Sequence, residues 1–158
     1  MLCFDTGSDR FNFRSVAVVI QDEHVLIHRE ISDNFWTLPG GRVEFFEPSA
    51  AAVVREINEE LGLKCSVLRH LWHVESFFTF SDRNFHELAN YYLVSLEFSS
   101  TINAEVDFEG IEQSVSLIYR WVPLINLETC NLKPDFLKTK LLDLPDSLEA
   151  LYLNEIST

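Results

Sequence analysis

The stretch from Gly41 to Leu63 constrains this chain more than any other. At about 100° per residue, Ala50, Val53, Val54, Ile57 and Leu61 share roughly 100° of arc, which predicts an amphipathic helix with those side chains toward a core. Gly62 can take positive φ, so the helix is expected to stop there. Ser49 and Glu47 are both candidates to cap its start. Glu59 lies opposite the apolar stripe, with Glu56 and Glu60 within about 100° of it. Both Glu59 and Glu60 are expected to be exposed.

These glutamates break local rules. Glu56 faces Glu59 at i,i+3 and Glu60 at i,i+4, where like charges cost a few tenths of a kcal/mol each. Glu59 and Glu60 also sit in the last turn, where the helix dipole penalises an anion by about 0.3–1 kcal/mol. Arg55 offsets only part of this. A divalent cation would remove the conflict, and three carboxylates, with Glu44 and Glu47 in the preceding loop, suit the oxygen chemistry of magnesium. They do not suit zinc, which calls for His or Cys. The other reading is a solvated acidic helix face.

Around that segment the chain reads as alternating strands with few helices. Residues 1–12 look like a loose lead-in. Phe13 to Ile20 and His24 to Arg29 form an expected hairpin, and Phe35 to Leu38 a short extended piece. Lys64 to Phe80 reads as one long or two shorter strands, and Phe85 to Phe98 contains another. Residues 99–116 read as acidic loop and Ile118 to Val122 as strand. Asp135 to Leu142 suits a helix and Ser147 to Asn154 another turn or two, giving a helical segment over 128–158. A sheet with helices packed on it follows, an α/β (α+β) class. His70 and His73 are out of phase on a strand and should face opposite sides. Phe35, Trp36, Phe77, Phe78 and Phe80 are either core or a base-stacking platform.

At 158 residues the chain is expected to be one domain. Its net charge of −13 repels nucleic-acid polymers. A small phosphorylated ligand remains compatible where a local cation inverts the field. No apolar run approaches the roughly 18 residues of a membrane span. Asp5 and Asp9 make the first residues unlike a secretory signal, so a cytoplasmic protein is expected. Cys3, Cys65 and Cys130 are far apart and read as buried free thiols.

The segment resembles the Nudix box, Gly-x5-Glu-x7-Arg-Glu-U-x-Glu-Glu-x-Gly-U with U aliphatic, at every fixed position. Gly41, Glu47, Arg55-Glu56-Ile57, Glu59-Glu60 and Gly62-Leu63 supply them. Leu-Pro-Gly-Gly at 38–41 and Arg-Trp-Val-Pro-Leu at 120–124 are similar to the family's flanks. The resemblance implies an α/β/α sandwich around a mixed sheet, and a hydrolase acting on a nucleoside diphosphate linked to another group (NDP-X, such as a (d)NTP, nucleotide sugar or ADP-ribose).

It further implies Mg²⁺ or Mn²⁺ held by Glu56, Glu59, Glu60 and the Gly40 carbonyl. Glu47 would anchor the loop and reach a second metal through water, and Arg55 would orient a catalytic glutamate. The implied general base is Glu59, with Glu56 second. Arg29 resembles a phosphate-contacting arginine, and Glu109 or Glu112 a late-loop acid on the substrate side. Dimers are frequent in the family. The contrasting reading is a catalytically silent Nudix-fold sensor. One departure stands out: Phe46 occupies a position where many members carry glycine, and a phenylalanine at positive φ is an outlier, so a different loop path is expected.

Overall fold

The computed structural model describes residues 1–97 and 102–156. The expected strand end at Phe98 and the loop residues 99–101 lie outside these. The strands are β1 (Cys3–Thr6), β2 (Asp9–Gln21), β3 (His24–Glu30), β4 (Gly40–Arg42), β5 (Cys65–Phe80), β6 (Arg83–Leu96), β7 (Phe108–Glu109), β8 (Leu117–Pro123) and β9 (Glu149–Asn154). The helices are α1 (Ser49–Leu61), the short α2 (Leu137–Lys140) and a 3₁₀ segment, Leu124–Thr129. The sheet order is β7-β8-β3-β2-β6-β5-β9, with β1 and β4 also on β2. β2–β6 and β5–β9 are parallel, so the sheet is mixed. No helix among the described residues is long and apolar enough to cross a membrane.

Strand alternation divides the core into two layers. Val16 and Val18 of β2 point to one face, with Trp72, Tyr91 and the C-terminal residues Leu127, Leu132, Leu137 and Leu141. Ala17 and Val19 point to the other, where Val53 and Ile57 of α1 pack with Tyr92, Tyr119 and Trp121. Such alternation is what a strand buried on both faces requires.

Several expectations need correction. Residues 3–12 are not a lead-in but β1 and the start of β2, paired Cys3 to Asn12 through Thr6 to Asp9. The segment Ser147 to Asn154 is not helical: β9 alternates half-buried and exposed residues, the period of a strand, and lies parallel to β5. Within 128–158, helix is confined to α2. The acidic loop carries the two residues of β7.

Neither Ser49 nor Glu47 caps α1. Pro48 is the N-cap residue, with no side-chain cap bond, because Ser49 already belongs to the helix and turns its hydroxyl to Tyr92 (2.6 Å) and Asn90 (2.9 Å). His70 and His73 share one face: a register shift between His70 and Trp72 sets them opposite Tyr92 and Asn90, two residues apart on β6. A bulge of one residue restores the parity that sequence spacing had broken.

α1 ends at Gly62, with φ of 67° and its N–H bonded to the Asn58 carbonyl at 2.8 Å. Phe46 does adopt positive φ, 61°, with its ring fully in solvent. The loop therefore keeps a glycine-like path and carries the strain. A left-handed L-residue costs about 1–2 kcal/mol, and glycine returns about 0.5–1 of that as chain entropy. Phe46→Gly is expected to gain roughly 0.5–1 kcal/mol in denaturant titration; a loss of stability would show that Phe46 is at ease there.

Candidate active site

β2 and β3 pair only at their turn, through Ile20–Val25 and Gln21–His24, and farther back β2 pairs with β4 instead. A cavity of about 850 Å³ opens there, lined by β2, β3 and β4, by Glu56 and Glu60 of α1, and by Glu112.

Arg55 is the hub of the carboxylates. Its Nε and Nη2 donate to the two Glu47 oxygens at 2.7 and 3.0 Å, a bidentate pair. Nη1 donates to Glu56 at 2.8 Å and to Glu59 at 3.1 Å, and Nη2 also to the Arg42 carbonyl at 3.2 Å. Arg55 thus offsets more of the crowding than spacing suggested. Its guanidinium holds the Glu47 carboxyl below the usual range. Glu47 in turn accepts the Glu44 N–H at 2.9 Å, which closes the loop onto the helix.

Glu60 corrects the expectation of exposure, being only 5% accessible. The Ile111 N–H bonds its carbonyl, and Tyr119 donates to its carboxylate at 2.7 Å, so the loop before β8 and β8 itself cover it. The buried arc of α1 consequently runs through Ala52, Val53, Ile57 and Glu60. Burial pushes the Glu60 carboxyl up to about 7; the Tyr119 bond opposes the rise and the Glu56 charge adds to it. Glu56 is also raised, chiefly by burial. Glu59, by contrast, has a half-exposed side chain and is not on the cavity wall.

The Gly40 carbonyl accepts from Arg14 at 3.3 Å. Gly41 has no room for a side chain, since a Cβ there would overlap the Glu56 carboxylate. Arg29 and Glu112 both line the cavity. Arg29 stacks 5.0 Å over Trp36 and ties the carbonyls of Glu30, Ile31 and Asp33, which marks it as a brace for that loop. Glu109 lies on β7, away from the wall.

Sequence reading missed Arg14, Tyr119 and His28. Arg14 carried a signal, a lone cation within a strand whose later residues are apolar. Tyr119 and His28 carried none, since only the pairing of β3 with β8 brings them to Glu60. His28 is 6% exposed, and burial drops its imidazole to about 3, so it stays neutral. Its Nδ1 is 3.9 Å from Glu60, too far for a hydrogen bond, and is unpartnered.

No three His, Cys, Asp or Glu side chains converge on a cation position among the described residues. The carboxylates are turned to Arg55 and Tyr119 instead. The donors nevertheless fit a hard divalent ion: all are oxygens, and Glu56 and Glu60 are raised chiefly by burial with a neighbouring carboxylate adding to each, a cost that a cation relieves.

The NUDIX domain family model matches residues 12–140. The chain belongs to the Nudix family. It is 29% identical over 92 residues to the "Putative mutator protein MutT4" of Mycobacterium tuberculosis, a match over 58% of this chain and 34% of that protein. The chain thus spans about a third of the length of that curated relative. Among solved structures, a NUDIX hydrolase from Nitrosomonas europaea superposes with a TM-score of 0.65 at 17% identity, over 91% of this chain and 79% of the other. An ADP-ribose pyrophosphatase from Streptococcus suis gives 0.56 at 17% identity, over 89% and 98%. At these identities the structures establish the fold, a large mixed sheet with few helices.

Proposed function

We propose that this Nudix protein hydrolyses the pyrophosphate bond of a nucleoside diphosphate linked to a second group, with Mg²⁺ or Mn²⁺ bound. The observation that carries the reading is the half-buried Glu56 and the buried Glu60, adjacent carboxylates on the wall of a cavity that Arg14 and Arg42 also line. Glu56, Glu59, Glu60 and the Gly40 carbonyl are the oxygens available to hold the cation. Once bound, the ion would neutralise the diphosphate and assist attack at phosphorus. Arg14 and Arg42, opposite each other on β2 and β4, are placed to receive phosphate oxygens.

The attacking water must lose a proton to a carboxylate. Of the two candidates, Glu56 is favoured over Glu59 by its place on the wall. Arg55 fixes Glu56 through a charge-assisted bond. A soluble small-molecule substrate is the partner this site implies.

Formation of the nucleoside monophosphate from a panel of NDP-X compounds with Mg²⁺ tests the reading; nucleotide binding without any cleavage would convert it to a sensor. A second readout needs no turnover. At pH 8 Mg²⁺ at about 100 times its Kd is expected to add roughly 2.7 kcal/mol to stability. For a domain of this size that is a rise in melting temperature of about 5–10 °C. At pH 5 protons compete for the same carboxylates and the rise should shrink. An equal rise at both values would place the ion elsewhere.

A further inference from the structure

We propose that the far end of the cavity reads a nucleobase, and that Glu87, held by Asn12 and flanked by Ser76, selects the donor-rich edge of guanine. This rests on the hydrolase reading above for the presence of a nucleotide, but not for its base.

The cavity floor is one face of the sheet, and the strand register sets its side chains in rows. Asn12 of β2 pairs with Glu87 of β6, which pairs with Ser76 of β5. All three line the cavity. The next row outward is Arg10, Phe85 and Phe78, whose two rings stack at 4.9 Å and 6°. The next row inward begins at Arg14, whose guanidinium meets the Gly40 carbonyl. Asn12 is two residues from Arg14, about 7 Å along a strand. That is the scale of a ribose between a phosphate and a base. Polar reading groups beside a flat aromatic wall, one sugar away from the phosphate end, are what a base pocket needs.

The polarity of the row decides the base. Asn12 is 3% exposed and its Nδ2 donates to Glu87 Oε2 at 3.0 Å. A carboxylate only accepts, so the amide orientation is fixed and Oδ1 is left as an acceptor. That Oδ1 is buried and has no partner, a state that costs free energy until a donor arrives. The same bond occupies one oxygen of Glu87 and leaves the other for a ligand. The row therefore presents to the cavity the free Glu87 oxygen, which can only accept, beside the Ser76 hydroxyl, which can accept as well.

Guanine alone among the common bases sets a ring N–H and an amino group side by side. Adenine and cytosine place a ring acceptor beside their amino group, and uracil flanks its one N–H with two carbonyls. Either pattern would put lone pairs against the Glu87 carboxylate. Asn12 acts as a positioning residue, keeping that carboxylate upright.

The test is calorimetric binding of GDP, IDP and ADP with Mn²⁺, alongside formation of the monophosphate and pyrophosphate from the corresponding triphosphates. IDP differs from GDP only in lacking the 2-amino group. GDP is expected to bind about tenfold or more tightly than IDP or ADP, the size of one charge-assisted hydrogen bond. Glu87→Gln, which places an amide donor in the row, should collapse the GDP-to-IDP ratio toward one, with the loss in KM rather than kcat. Its melting temperature reports whether the variant is folded, and the native-chain comparison stands without it.

Equal binding of the three, preference for another base, or a ratio unchanged in Glu87→Gln overturns the proposal. Selective guanine binding without cleavage would keep the base row and overturn the hydrolase reading. Cleavage without base preference would do the reverse, and no binding at all would remove both.

Discussion

Glu60→Gln is expected to melt higher than the native chain at pH 8 without metal, and to lose turnover by about a hundredfold or more. Even outer-shell partners of a metal are worth about 10–100-fold, and Glu60 is a direct oxygen donor in the proposed site. The gain in stability follows from its burial. A carboxyl raised from 4.5 to about 7 in the folded state binds more protons there than in the unfolded chain. That contribution is fully present below about pH 4.5 and is lost as pH rises through 7. At pH 8 the native protein holds a buried anion beside Glu56; glutamine keeps the volume and an acceptor for Tyr119 but no charge. Scanning calorimetry at pH 8 and pH 4.5 should find the two proteins apart at the first and close at the second. A variant that melts lower at pH 8 would show that the buried charge does not burden the fold, and one that keeps its turnover would show that it serves neither cation nor catalysis.

The helix and its glutamates were legible in the sequence because they depend on local spacing. Ala50 to Leu61 carry a 3.6-residue period and Gly62 a stop; the helix and its end appear as read, while its buried arc is turned toward Ala52 and Glu60. Whether Glu60 was buried depended on Tyr119 and Ile111, some fifty to sixty residues away, and no pattern around Glu60 could reveal their arrival. Residues 3–12 and 149–154 were misjudged for a related reason. β1 is largely exposed and β9 alternates exposed with half-buried residues, while Asp9 to Asn12 open β2 with mostly polar side chains, so none carries the apolar run that announced the rest of β2 and β6. The two histidines of β5 failed differently. A bulge changes parity without changing composition, and it is set by how β5 meets β6. Phe46 was judged by what phenylalanine prefers, whereas the Arg55–Glu47 pair over-determines the loop and holds it in the less favoured region.

That same pair makes Arg55→Leu the substitution with the largest expected cost to stability. Arg55 is 29% exposed, while Glu47 and Glu56 are 16% and 14%. The cluster lies between the exposed pairs worth about 1 kcal/mol and the buried ones worth about 3–5. Its loss should cost about 2–3 kcal/mol, or roughly 5–10 °C in a domain of this length. The cause is specific. Without the guanidinium, Glu47, Glu56 and Glu59 face one another with no cation between them, and the loop from Glu44 loses its tie to the helix. Glu47 supplies the pH signature. Its carboxyl is held low mainly by Arg55, so it adds stability above its unfolded value that is lost as pH falls. The variant should therefore lose less on acidification than the native chain. Arg55→Lys keeps the charge but not the planar fork and should fall between the two. Mg²⁺ should recover part of the loss in Arg55→Leu, because an ion held by Glu56 and Glu60 supplies the missing positive charge; a variant that melts within a degree of the native chain would mean that the hub carries no stability.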